Sequence, residues 1–174
     1  MTPASRVFLV GFMGCGKTTT GKALARRLGW EFVDLDERIQ DAFGLSVREI
    51  FVQHGEAAFR AEESRKLVEA VRQEKVVVAT GGGTFVVEHN RALMAKLGVS
   101  VFLDVPWGEI VRRLPDKWED RPLFRSPEQA LELYRQRLPF YRLADLTVRP
   151  LFGEDAEALA GRMALLLRGR LCGT

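Results

Sequence analysis

The chain has 174 residues, of which 47% are apolar and 28% charged, so we expect a folded protein and exclude a disordered or membrane-embedded one. The length favours one compact domain over residues 1–174. The 26 basic residues exceed the 23 acidic residues by three, which suits an anionic ligand. No long Lys or Arg run accompanies this excess, so we do not expect nucleic acid as a partner.

The cysteines and the N-terminal residues indicate a cytoplasmic protein. Cys15 and Cys172 lie near opposite ends of the chain, which is neither a disulfide framework nor a metal-ligand spacing. A reducing compartment suits this usage. The first residues lack the pattern of a signal peptide, and no apolar run approaches the ~18 residues of a membrane span. We therefore expect neither export nor a membrane partner.

The predicted elements alternate between strand and helix. Strands are predicted over 7–10, 31–35, 76–79, 99–104 and 146–148. Helices are predicted after the first strand, over 56–73, 89–97 and 107–114, from 127 onward and around 159–166. Ser46 and Glu49 have the spacing of a capping box, and residues 115–125 are predicted to form a mobile surface segment. The alternation predicts an α/β fold, a parallel sheet with helices on both faces.

A phosphate-binding loop is predicted between the first strand and the first helix. Gly11 to Thr18 reads GFMGCGKT, which satisfies the pattern G-x-x-x-x-G-K-[ST] in its required context. A triphosphate needs several backbone N–H groups at a helix N-terminus, and a glycine-rich turn supplies them without steric conflict. Lys17 would reach the β- and γ-phosphates, and Thr18 would ligate Mg²⁺. The alternative is a glycine-rich structural turn with a surface lysine.

A switch GTPase is excluded by composition. Its guanine motif requires Asn-Lys-x-Asp, whereas the chain contains a single asparagine, Asn90, followed by Arg91. A kinase with a small acceptor in the same pocket is the natural interpretation.

Asp34 and Asp36 are two residues apart at a predicted strand end, which directs both carboxylates to one face. Beside the phosphate loop, one could hold the metal through water while the other accepts a hydrogen bond from a substrate hydroxyl. The alternative for Asp36 is the N-cap of the following helix.

Other candidate residues allow both a functional and a purely structural interpretation. Arg60 could bind an anion or form a surface ion pair with Glu63. Three consecutive glycines, Gly81 to Gly83, are entropically costly unless a ligand or another group approaches the main chain closely. Several arginines lie in and before the predicted mobile segment, Arg113 and Arg121 among them. They could act as a phosphate clamp or belong to a merely solvated loop.

These motifs together resemble the shikimate kinase family over almost the whole chain. The matching segments are Gly11 to Thr18, Asp34-Leu35-Asp36, Phe59-Arg60 with Glu63, Gly81-Gly82-Gly83, Arg121-Pro122-Leu123 and Pro139-Phe140-Tyr141-Arg142. The resemblance implies a P-loop nucleoside-monophosphate-kinase-like fold of three α/β/α layers, with a five-stranded parallel sheet of order 2-3-1-4-5 and a mobile lid over about residues 115–126. It also implies transfer of the γ-phosphate of ATP to the 3-hydroxyl of shikimate by a cytoplasmic monomer.

The resemblance assigns the acceptor to a helical region over residues 36–63 and to neighbouring loops. It implies that Asp36 contacts the hydroxyls of shikimate and that Arg60 and Arg142 hold its carboxylate. Gly81, Gly82 and Gly83 would supply main-chain N–H groups. The catalytic residues implied are Lys17, Asp36 and Arg121.

The resemblance also assigns the nucleotide site and its metal. The nucleotide-binding residues implied are Gly14, Cys15, Gly16, Lys17, Thr18, Thr19, Arg113 and Arg121. Arg113 would stack on adenine, with Arg112 as the alternative, and Arg121 would close on the γ-phosphate. Mg²⁺ would be ligated by Thr18, with Asp34 acting through water. Cys15 stands where the family usually has Ser or Ala, a position that contributes chiefly its backbone.

Two other functions stay open on the sequence alone. One is another small-molecule kinase of the same fold, such as a gluconate or nucleoside-monophosphate kinase. The other is a non-catalytic module that binds a nucleotide. The Asp-x-Asp pair, Phe59-Arg60 and the triple glycine, together with Arg142, favour a hydroxylated carboxylic acid as the acceptor.

Overall fold

The structure is a computed structural model that describes residues 4–114 and 122–171. Within these ranges the strands are β1 (Arg6–Val10), β2 (Glu31–Asp34), β3 (Val76–Ala79), β4 (Val99–Leu103) and β5 (Leu146–Val148). The α-helices in the same ranges are α1 (Lys17–Leu28), α2 (Leu35–Phe43), α3 (Val47–Ala70), α4 (Glu88–Leu97), α5 (Trp107–Arg113), α6 (Pro127–Tyr141) and α7 (Ala156–Leu167).

The described strands form one parallel sheet in the order β2-β3-β1-β4-β5. This confirms the order that the family resemblance implied. Every residue of β3 and β4 is buried, as expected for central strands covered by helices on both faces. In such a sheet, ligands bind beyond the carboxyl ends of the strands, where the loops after β1, β2 and β3 lie together.

Helix α1 begins directly after the phosphate loop. Its N-cap is Gly16, whose φ of 93° lies in the left-handed region, and no side chain caps the helix there. Gly29, at φ 66°, ends the helix after two arginines in its last turn. Because the first N–H groups of α1 receive no side-chain cap, they are suited to an anionic ligand.

The boundary between β2 and α2 differs from the sequence prediction. The strand was expected to continue to Leu35, but it ends at Asp34, and α2 begins at the next residue. Asp34 is the N-cap of α2, with its carboxylate accepting from the backbone N–H groups of Asp36 and Glu37. The capping role considered for Asp36 belongs to Asp34, because α2 begins at Leu35 and Asp36 lies inside its first turn.

Helix α3 starts earlier than the predicted helix over 56–73. The capping box of Ser46 and Glu49 is present and opens the helix at Val47. At Gly55 the backbone leaves helical geometry, with φ 83° and ψ 166°, so α3 consists of two segments. Phe59 joins Ile39 and Ile50 in an apolar cluster separate from the main core. The first segment of α3 is therefore packed mainly on α2.

Helix α6 begins with the predicted cap, Ser126, followed by Pro127. Its buried residues are Ala130, Arg137 and Tyr141, which define the side that faces the sheet. Residues 115–121 of the predicted lid lie outside the described residues, so its mobility stays a prediction. No helix in the described part of the chain is long and apolar enough to cross a membrane.

Candidate active site

A cavity of about 380 Å³ lies where the loops after β1, β2 and β3 meet. Its phosphate-loop side includes Gly14, Gly16, Lys17, Thr18 and Thr19. Its other side includes Asp34, Asp36, Val47, Phe51, Phe59, Arg60, Glu63, Gly82, Gly83 and Arg137. One cavity thus joins a loop of phosphate-binding type to a wall that contains two arginines and two aspartates.

The phosphate loop has the backbone geometry that its glycines permit. Gly14 and Gly16 have φ values of 77° and 93°, which side chains rarely adopt. Lys17 Nζ lies inside the loop, where it donates to the carbonyl oxygens of Gly11 at 2.8 Å and Phe12 at 2.9 Å. The Cys15 side chain is buried and does not line the cavity. Cys15 Sγ accepts from Lys17 Nζ at 3.7 Å inside the loop.

Thr18 and Asp34 form a pair of oxygen groups at the edge of the loop. Thr18 Oγ1 donates to Asp34 Oδ2 at 2.6 Å, and both residues line the cavity. Mg²⁺ prefers hydroxyl, carboxylate and phosphate oxygens and keeps several waters, so a dedicated cage of carboxylates is not required. The described residues contain no cluster of three or more His, Cys, Asp or Glu side chains that could hold a metal. The Thr18 and Asp34 pair fits Mg²⁺ held jointly with phosphates.

Asp36 lies in the first turn of α2 and faces the triple glycine. A Cβ added to Gly81 would stand 3.0 Å from Asp36 Oδ1 and 2.5 Å from Glu63 Oε1. A side chain at Gly81 would therefore displace one of these carboxylates. Although Gly81 does not itself line the cavity, its lack of a side chain lets Asp36 occupy the cavity wall.

Arg60 is held in place by a fully buried carboxylate. Glu63 is 0% exposed, accepts from Arg60 Nη1 at 2.9 Å and accepts from Thr84 Oγ1 at 2.6 Å. Glu56 lies 3.4 Å from the same guanidinium, whose side chain is 22% exposed. A buried carboxylate is stable only with such partners. Arg60 is therefore fixed at the cavity wall, and its pairing with Glu63 is not an exposed surface ion pair.

Gly82 and Gly83 bring the main chain close to two guanidinium groups. A Cβ on Gly83 would stand 2.6 Å from Arg60 Cζ, and one on Gly82 would stand 3.1 Å from Arg137 Nη1. The glycines after β3 thus leave space for both arginines beside the backbone. This close approach explains the triple glycine better than a bare turn does.

The resemblance implied Arg142 as the second carboxylate-binding arginine, but the structure does not bring Arg142 to the cavity. Arg142 is the C-cap of α6, is exposed and is not among the described residues that line the cavity. Arg137, one of the lining residues, is only 7% exposed. The α-helical period separates the two: Arg137 shares the buried side of α6 with Tyr141, and Arg142 follows on another side. The sequence signal for Arg137 was its four-residue spacing from Tyr141.

Arg137 differs from Arg60 in its partners. The ion pairs among the described residues do not include Arg137. A buried guanidinium that lines a cavity and has no carboxylate partner in the described part of the chain favours an anionic ligand there.

The arginines before the lid occupy different positions. Arg113 lines the cavity, and its Nη1 lies 3.4 Å from the Gly14 carbonyl oxygen, directly over the phosphate loop. Arg112 pairs with Glu109, and its side chain is 71% exposed. This geometry favours Arg113 as the nucleotide contact. Arg121 lies outside the described residues, whereas Pro122 and Leu123 line the cavity.

Comparison with known proteins agrees with this geometry. A family profile described as shikimate kinase matches residues 13–163. The shikimate kinase of Geobacter metallireducens is 40% identical over 167 residues, covering 94% of this chain and 92% of the relative. The chain belongs to the shikimate kinase family.

Solved shikimate kinases share the fold of this family member over nearly its full length. The Acinetobacter baumannii shikimate kinase, solved in complex with shikimate, has a TM-score of 0.88 and 34% identity, covering 95% of this chain and 93% of its own. The Aquifex aeolicus shikimate kinase has a TM-score of 0.83, 35% identity and coverage of 97% and 99%. This shikimate kinase family member is an ATP-dependent phosphotransferase that acts on shikimate, as the sequence predicted.

Proposed function

We propose that the cavity binds ATP and shikimate together and transfers the γ-phosphate to the shikimate 3-hydroxyl. The observation that supports this most strongly is the continuity of the cavity from the phosphate loop to Arg60 and Arg137. A phosphoryl donor and a carboxylate-bearing acceptor can therefore lie side by side. Such positioning is the main contribution of a protein to phosphoryl transfer, because the transition state is loose.

The phosphates of ATP are held by the loop and by the N-terminus of α1. The N–H groups around Gly14 and Gly16 converge on the anion, and Lys17 contributes a positive charge from within the loop. Arg113 covers the nucleotide beside the loop by stacking on adenine, and Arg121 closes on the γ-phosphate. Thr19 lines the same end of the cavity.

Thr18 and Asp34 would hold Mg²⁺, Thr18 as a ligand and Asp34 through water. When bound, the ion neutralises phosphate charge and orients the β- and γ-phosphates. Because Asp34 also caps α2 and accepts from Thr18, it links the metal-binding edge to the helix that presents Asp36.

The acceptor lies against α2, α3 and the turn after β3. Arg60 and Arg137 bind the carboxylate of shikimate, and the main chain of Gly82 and Gly83 packs against it. Asp36 accepts a hydrogen bond from the reacting hydroxyl and orients it toward the phosphate. It acts as an orienting group first and as a base second, since a loose transition state needs little proton removal.

We further propose a cytoplasmic monomer. The described cavity is formed by residues of one chain, and Cys15 is a buried free thiol, which suits a reducing compartment. Light scattering after size-exclusion chromatography tests the monomer, and a dimer that is stable at micromolar concentration would contradict it.

The acceptor assignment is tested with a panel of substrates. ADP release is measured with ATP, Mg²⁺ and either shikimate, gluconate or a nucleoside monophosphate. We expect release that depends on shikimate and exceeds that with the other acceptors by more than about 100-fold. A nucleoside monophosphate lacks the carboxylate, and open-chain gluconate does not hold its carboxylate and a hydroxyl in the fixed geometry of a ring. Equal rates with gluconate would contradict the assignment.

A further inference from the structure

Tyr141 lies behind the acceptor wall and is fully buried. It is the last residue of α6, is 0% exposed and packs against Phe102 of β4, with ring centroids 5.4 Å apart and ring planes inclined by 32°. It is not among the described residues that line the cavity. A phenol buried so completely must satisfy its hydroxyl within the protein.

The hydroxyl connects two parts of the acceptor site. Tyr141 Oη donates to the Gly82 carbonyl oxygen at 2.5 Å. Burial raises the pKa of Tyr141, and the nearby Arg137 guanidinium partly offsets this rise. A Cβ placed on Gly82 would stand 3.7 Å from Tyr141 Oη and 3.1 Å from Arg137 Nη1, so the three groups are adjacent.

We infer that Tyr141 is a positioning residue that fixes the Gly82 peptide and the Arg137 guanidinium relative to each other for binding of the carboxylate-bearing acceptor. A hydroxyl can donate one hydrogen bond and accept two, so donation to Gly82 leaves lone pairs for a guanidinium donor. The ring, held against Phe102, anchors this hydroxyl to the core of the sheet. The inference rests on the proposed binding of shikimate by Arg137.

Removal of the hydroxyl affects one half of the site. In the Tyr141→Phe variant the Gly82 carbonyl and Arg137 lose a buried partner, while the phosphate loop keeps its described contacts. We expect the KM for shikimate to rise by about tenfold and the KM for ATP to change by less than about twofold. A general loss of structure would instead change both constants or lower the fraction of active enzyme.

Tyr134→Phe is the matched control. Tyr134 lies on the same helix, between the rings of Phe12 and Trp107, and has no hydrogen bond from its hydroxyl among the described residues. We expect its kinetic constants to remain within about twofold of the parent values. Incorporation of 4-fluorophenylalanine at position 141 fills the volume of the hydroxyl without donating, and it replaces the Phe variant if that variant fails to fold.

A double-mutant cycle with Arg137→Ala distinguishes positioning from packing. If Tyr141 acts through Arg137, its replacement by Phe raises the shikimate KM by about tenfold in the parent but only about twofold in the Arg137→Ala background. Two results in an active parent enzyme would overturn the inference but not the proposed function. One is that the effects of Tyr141→Phe and Arg137→Ala on the shikimate KM multiply independently, and the other is that Tyr141→Phe and Tyr134→Phe have equal effects. A parent enzyme without shikimate-dependent turnover would overturn the proposed function and the inference with it.

Discussion

Arg137 and Arg142 lie on the same helix end, yet only Arg137 reaches the cavity. Sequence proximity to the Pro139 to Tyr141 segment did not distinguish them, because the choice depends on which side of α6 faces the sheet. The phosphate loop was predictable at the residue scale, since its glycine spacing and flanking elements are local. Which arginine of a helix binds an anion depends instead on tertiary packing, because packing determines the side of the helix that faces the ligand.

Substitution of Arg137 should change the kinetics, whereas substitution of Arg142 should not. Arg137→Ala removes a charge-assisted hydrogen bond to the acceptor carboxylate, worth about 1.5–3 kcal/mol, so the shikimate KM should rise roughly 10- to 100-fold. The ATP KM should change by less than about twofold. Arg142→Ala is the matched control and should resemble the parent in steady-state assays. A larger effect at Arg142 than at Arg137 would contradict the proposed role of Arg137.

Arg60 is less suited to such a test, since Glu63 is fully buried beside it. Removal of Arg60 would leave that carboxylate with Thr84 as its remaining close side-chain donor, and the fold would lose stability together with substrate binding. Arg137 has no carboxylate partner of this kind in the described part of the chain, so its substitution separates binding from stability.

Asp36→Asn tests the orienting carboxylate. The amide keeps the size of the side chain but removes its charge, so kcat should fall about 100-fold or more, with little change in the binding of ATP. Asp41→Asn, at an exposed position of the same helix α2, supplies the control. The measurements are steady-state turnover and nucleotide titration; a fully active Asp36→Asn enzyme would refute the role.

At the scale of elements, the strands and their order were predictable, whereas some boundaries were not. The observed end of β2 differs from the predicted end because Asp34 both ends the strand and caps α2. That capping role depends on the direction of the Asp34 carboxylate. The first segment of α3 was missed because Gly55 interrupts its pattern. The capping box at Ser46 is a local signal, and it was predicted correctly.

The break in α3 makes Gly55 sensitive to substitution. A Cβ there would meet no atom within 4 Å, so the cost of Gly55→Ala is the strain of φ 83° and ψ 166°, a region that essentially only glycine adopts. We expect a loss of about 1–3 kcal/mol of unfolding free energy. Gly108, in α5, also has open space around it and no positive φ. Gly108→Ala should be neutral or stabilise by up to about 1 kcal/mol in urea unfolding. Equal effects of the two substitutions would contradict the strained backbone at Gly55.

At the scale of the whole molecule, hydrogen-bonded carboxylates set the response to acid. Hydrogen bonds from Ser46, Lys66, Ser126 and Arg162 respectively lower the pKa of Glu49, Glu69, Glu128 and Glu154 below the usual 4.5. Protonation of these groups therefore favours the unfolded chain. Their stabilising contribution is complete above the unfolded-state pKa and is lost as the pH falls through the folded-state values.

We therefore expect the urea midpoint to be nearly constant between pH 7 and about pH 5.5 and to decrease below about pH 4.5. Glu49→Gln should reduce this dependence, because it removes one titrating group while the helix keeps Ser46 as its cap. A midpoint that increases on acidification would contradict the direction of these pKa shifts.

The fold of the whole molecule brings the loops after three strands to one cavity, where the nucleotide and the acceptor would meet. A crystal structure of the enzyme with ADP, Mg²⁺ and shikimate tests it most directly. We predict the nucleotide phosphates at the N-terminus of α1, the shikimate carboxylate between Arg60 and Arg137, and the reacting hydroxyl beside Asp36. A carboxylate bound by Arg142 at the exposed end of α6, with Arg137 turned away from the ligand, would contradict the account.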